Sequence, residues 1–144
     1  MANLRANNIS GTDGRNAITG SVQFNGTGDY LTTANSTNDF SFGTGDFTIE
    51  FWINSTKATR TDPVGWNYDY NSAGWAGFIF NLSSSGDMAW YENSNSRISA
   101  TSTGWNTGSW NHVSVTRSGN SVRMFLNGSQ VGSTYTTSFT YEIG

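Results

Sequence analysis

The chain has 144 residues, of which 15% are aromatic and only 12% charged, with a formal net charge of −3 and a pI near 4.8. A single lysine, Lys57, and the lack of any Lys/Arg cluster leave no electrostatic footprint for nucleic acid. Cysteine is absent, which removes disulfides, thiolate nucleophiles and Cys-ligated zinc together.

The first twenty residues form a polar, Gly-containing arm with weak patterning, and their start, MANLRANNIS, has no apolar core of signal-peptide length. No apolar run is long enough to cross a bilayer; AGFIF at 76–80 is among the longest. Neither export by this N-terminus nor membrane insertion is expected. No window combines a 3.6-residue apolar period with good helix formers, whereas Gly, Ser, Thr and Asn punctuate the chain throughout.

Short strands are expected at 21–24 and 30–33, around the first of two similar loops, FNGTGDY at 24–30 and FGTGDF at 42–47. Both loops lead into strands and carry no lysine, so neither is a phosphate cradle. Asp29 and Asp46 bring one carboxylate each, and turn chemistry, with glycine at positive φ and aspartate bonding nearby backbone, accounts for both loops. FTIEFWIN then alternates, placing Phe47, Ile49, Phe51 and Ile53 on one face and Thr48, Glu50 and Trp52 on the other.

The surface stretch TDPVGWNYDYNSAGW at 61–75 holds Trp66, Tyr68, Tyr70 and Trp75, with Asn67 and Asp69 between them. Such rings stack on sugars, fill protein interfaces, or cap the end of a sandwich. Weaker strands follow at 78–82, 88–91 and 97–100. WNHVSVTR and SVRMFLNG form a hairpin in which Val113 and Val115 oppose His112, Ser114 and Thr116, and Val122, Met124 and Leu126 oppose Arg123 and Phe125. Asn127-Gly128 is a preferred type I′ pair, so SQV folds back at once. Trp52 and Phe125 then share an outer face as a second exposed aromatic set, unless both are core. About ten short strands separated by turns specify an all-β sandwich or antiparallel jelly roll.

Together, GSVQFNGTGDYLTTANSTNDFSFGTGDFTIEFWINST and GSWNHVSVTRSGNSVRMFLNGSQVGS closely resemble the laminin G-like module of the concanavalin A-like jelly-roll superfamily. The resemblance covers roughly 21–144, so the expected organisation is an arm over 1–20 and one jelly-roll domain over 21–144. It implies two antiparallel sheets packed face to face. Modules of this kind usually continue past the equivalent of YEIG into one or more closing strands. The sequence stops at Gly144, and the expectation is an open sheet edge that recruits another chain or a copy of itself. The family often binds calcium at a loop rim, for which Asp29 and Asp46 are the nearest candidates; no other cofactor is expected.

Glucanases share this jelly roll, and their chemistry needs two carboxylates roughly 5 to 9.5 Å apart. Glu50, Glu92 and Glu142 lie in separate segments, and the one acidic residue two or four positions from any of them is Asp46, in the turn that precedes the Glu50 strand, so no enzyme is expected. His112, the lone histidine, comes without a nucleophile elbow and is read as a packing residue. The arm is similar to the leader of tailed-phage virion structural proteins. The reading that follows is a non-enzymatic interaction or adhesion module of a virion, as capsid decoration or tail-fibre component, in contact with other virion proteins and assembled in the host cytoplasm. The alternative is a lectin-like module that recognises cell-surface glycan. Six Asn-x-Ser/Thr matches, at Asn8, Asn25, Asn35, Asn54, Asn81 and Asn127, are expected by chance in this composition.

Overall fold

The computed structural model describes residues 22–24, 42–55, 61–66, 78–82, 86–93, 95–101 and 103–141, with backbone alone for 61–66 and 78–79. By internal contacts the chain divides into two units, Met1–Ser36 and Thr37–Gly144, and all of the strands below belong to the second. In the first unit, Val22 to Phe24 is not a strand, contrary to expectation, and Val22 and Phe24 are exposed.

Among the described residues there are eight strands: β1 (Phe47–Asn54), β2 (Thr61–Trp66), β3 (Phe78–Leu82), β4 (Met88–Glu92), β5 (Asn95–Ala100), β6 (Trp110–Ser118), β7 (Ser121–Leu126) and β8 (Ser129–Thr136). They form two antiparallel four-stranded sheets, β1-β6-β7-β8 and β2-β3-β4-β5. This is the sandwich that the alternation required: Phe47, Val113, Val115, Val122, Met124 and Leu126 of the first sheet meet Phe80, Leu82, Met88, Trp90 and Ile98 of the second in one core. Phe51 meets Phe80 edge to face across the core, ring centroids 5.5 Å apart.

β2 corrects the reading of 61–75 as surface loop throughout. Its first six residues are a strand, tolerated despite Pro63 because the register shifts between Thr61 and Val64 and the missing N–H falls in that irregularity.

Two turns set the first sheet. Asn127 (φ 48°) and Gly128 (φ 81°) make the tight β7–β8 reversal. Asp46 accepts the Gly119 N–H at 2.7 Å and so closes the β6–β7 turn against the start of β1. β8 runs the full eight residues, much further than the expected SQV. It carries an irregularity between the pairs Met124↔Val131 and Val122↔Tyr135. There Gly132 (φ +71°) lies so close to β5 that a Cβ would stand 2.6 Å from Ile98 Cγ2.

Among the described residues one carboxylate is inside. Glu92, at the end of β4, is 1% exposed. It accepts hydroxyl bonds from Tyr135 and Thr137 at 3.1 Å each and from Tyr141, with Arg97 Nε 3.8 Å away. A buried carboxylate must be paired and bonded, and here every donor comes from β5 or from the segment at and beyond the end of β8.

Candidate functional site

The outer face of the β1-β6-β7-β8 sheet carries the exposed aromatic residues found among the described residues of the second unit. Trp52 on β1 is 64% exposed and Trp110 on β6 is 51% exposed. In register, Trp52 stands opposite His112 and Trp110 opposite Asn54, so the two indoles are diagonal neighbours on adjacent strands.

His112 is fixed from the other side. Its N–H donates to Asn127 Oδ1 at 2.9 Å, and its carbonyl accepts the Asn127 N–H at 2.8 Å. Both backbone groups of His112 therefore turn toward the hairpin, which makes Trp52–His112 a non-hydrogen-bonded pair, the kind that brings side chains closest. Accordingly the rings approach to 5.1 Å between centroids at a tilt of 51°, and His112 Nε2 lies 3.6 Å from Glu50 Oε2. Ser114, between Glu50 and half-buried Phe125 in the next row, is a small residue buried beneath its larger neighbours.

The loop that delivers Trp110 is held by asparagines. Buried Asn111 donates to Asn106 O at 2.9 Å and to Ser109 O at 3.0 Å and accepts from Asn106 N–H at 3.3 Å. The Gly108 N–H bonds Ser55 O at 3.0 Å, tying the loop to the end of β1. The platform is therefore preorganised: two indole faces over a rigid sheet, ringed by Glu50, Asn54 and His112 as hydrogen-bonding groups.

The expected aromatic loop meets a different outcome. Trp66 is the last residue of β2, paired with Phe78, while Asn67, Tyr68, Asp69, Tyr70 and Trp75 lie outside the described residues. Asp29 also lies outside them. Asp46 Oδ1 accepts the Gly119 N–H at 2.7 Å, and among the described residues no group of three His, Asp or Glu side chains gathers in one place. Trp52 and Phe125 do share the outer face, as their alternation predicted. Trp110 was missed; the signal was there in its spacing of two from His112, which puts both on one face of a strand. Of the described glutamates, Glu50 is outside the first sheet and Glu92 sealed between the sheets, so these two do not flank one substrate bond.

No curated protein and no solved structure matches the chain to a significant degree. A laminin G family model described as the concanavalin A-like lectin/glucanases superfamily matches residues 25–142. With that match over most of its length and the two-sheet sandwich it predicts, the chain belongs to the concanavalin A-like lectin/glucanases superfamily, among its laminin G-like modules.

Proposed function

We propose that this chain is a non-enzymatic binding module that holds a cell-surface glycan on the Trp52–Trp110 face. The carrying observation is the diagonal pair of exposed indoles on adjacent strands, backed by His112 and flanked by Glu50 and Asn54. A sugar offers apolar C–H faces between hydroxyls, which match ring faces set among short polar groups. The core of a protein interface is instead depleted of charge, whereas the Glu50 carboxylate stands beside these rings. Retention of the pure chain on bacterial cell-wall polysaccharide tests the reading. Trp52→Ala with Trp110→Ala should abolish retention at an unchanged melting temperature. Retention that survives both substitutions, or a parent chain that no glycan retains, would overturn it.

On the larger scale, we propose that the module rides on a tailed-phage virion, as capsid decoration or tail-fibre component. The similarity of the 1–20 arm to virion leaders supports this, and mass spectrometry of purified particles tests it. Contact with other virion proteins or with a second copy is favoured by β1 being an outermost strand of its sheet among the described residues.

A further inference from the structure

The opposite outer face, that of β2-β3-β4-β5, carries a cavity of about 240 Å³ lined by Asn81, Asp87, Ala89, Tyr91, Ser99 and Thr101 together with Met88 and Ala100. It follows from the pattern of side-chain sizes. Met88, Trp90 and Glu92 point inward, so Ala89 and Tyr91 point outward. Asn81, Ala89 and Ser99 stand in one row across three strands. Two small side chains side by side in that row leave a depression. Tyr91 stands two residues along β4 from Ala89, while Asp87 and Thr101 lie where β4 begins and β5 ends.

We infer that this cavity is a second ligand site, separate from the Trp52 face, and that it takes a single amino-sugar ring, with the ammonium group toward Asp87. Three observations carry the assignment. The volume is below the roughly 300–1,000 Å³ of sites for drug-sized ligands, which suits one ring. The polar lining is spread over three hydroxyls, those of Tyr91, Ser99 and Thr101, with a carboxamide and a carboxylate, each with acceptor capacity; a polyhydroxylated body satisfies such a scatter, whereas a linear amine reaches only part of it. Asp87 is the only charged side chain among the described lining residues and is half-buried, so it repels an acidic ligand and forms a charge-assisted bond with an ammonium group. Asn81, Asp87 and Tyr91 are each also held by an interaction of their own, which limits their reorganisation on binding; a carboxylate and a carboxamide both keep acceptor sites beyond one bond.

The test is a calorimetric titration of the full chain with glucosamine, glucose, glucuronate and lysine amide in mildly acidic buffer. Glucosamine should bind roughly tenfold more tightly than glucose, a difference of about 1.4 kcal/mol, and glucuronate and lysine amide should bind more weakly still. Asp87→Asn should erase the preference for glucosamine over glucose without lowering the melting temperature, and Ala89→Leu should fill the depression and remove binding of both sugars. Equal affinity for glucose and glucosamine, binding of lysine amide as tight as that of glucosamine, or no binding of any of the four would overturn the assignment. So would loss of glucosamine binding in Trp52→Ala, which would move the ligand to the other face. Polysaccharide retention in Ala89→Leu reads the Trp52 face alone, so the two proposals fail separately.

Discussion

Tyr141 donates its hydroxyl hydrogen to Glu92, joining the end of β4 in one sheet to the segment that follows β8 of the other. The phenol is itself packed edge to face on Phe47 and Phe139, with ring centroids 5.0 Å away in each case. Burial first, and then the bond to Glu92 and its negative charge, push the Tyr141 hydroxyl well above the ordinary tyrosine range.

That shift fixes an alkaline limit. A group whose folded pKa is raised binds its proton more tightly when folded, so its contribution is whole below the unfolded tyrosine value of about 10 and is lost as pH rises beyond it. Stability should fall with pH from about 10 upward, and Tyr141→Phe should flatten that fall. The same substitution removes one donor to a buried carboxylate and should cost about 1–3 kcal/mol at neutral pH. Glu92→Ala, which strands Arg97 and three hydroxyls, should cost about 3–5 kcal/mol. Urea unfolding of the three proteins across pH checks both; a Tyr141→Phe profile parallel to the parent's would refute the alkaline assignment.

Neighbouring residues on β1 should separate function from folding. Phe51 faces the core on Phe80, and Phe51→Ala should cost roughly 3–5 kcal/mol. Trp52, one position along and pointing out, should change stability by no more than about 0.5 kcal/mol when replaced by Ala. A large loss of stability in Trp52→Ala would mean that the indole is structural.

Two glycines of similar φ provide a matched pair. A Cβ added at Gly128 (φ +81°) would have no neighbour within 4 Å, whereas at Gly132 (φ +71°) that atom would meet Ile98 Cγ2 at 2.6 Å. Gly128→Ala should cost the conformational strain alone, about 1 kcal/mol. Gly132→Ala adds overpacking of about 1–3 kcal/mol and should push β8 away from β5. Equal melting temperatures for the two variants would show that β5 and β8 do not approach this closely.

Asp46 anchors a turn through Gly119. Asp46→Ala should cost about 0.5–1.5 kcal/mol, the net worth of a solvent-exposed hydrogen bond, and the cost should be the same in millimolar calcium and in chelator. A calcium-dependent difference between parent and variant would make Asp46 a ligand instead.

Much of the first sheet was legible in the residues. Phe47, Ile49, Phe51 and Ile53 alternate with polar positions, Val113 and Val115 face Val122, Met124 and Leu126 inward, and Asn127-Gly128 turns the chain as its type demands. What escaped was non-local. β2 was hidden because Pro63 argues against a strand unless an irregularity accommodates it. Glu92 gave no sign of burial because its hydroxyl partners stand 43, 45 and 49 residues away. The Trp52–Trp110 platform depends on the β1–β6 register, and the 240 Å³ cavity on three strands aligning Asn81, Ala89 and Ser99. Neither alignment can be read from one strand's own periodicity.

The separation of Glu92 from its donors also sets a timetable for biosynthesis. Tyr141 leaves the ribosome 49 residues after Glu92, a delay of roughly 2–10 seconds at about 5–20 residues per second. During that interval Glu92 has Arg97 and water for partners but none of its three hydroxyl donors, which disfavours closing the sandwich over it. Completion of the sandwich is thereby coupled to arrival of the segment that carries Tyr141, and a ribosome stalled before that residue should display a protease-sensitive nascent chain.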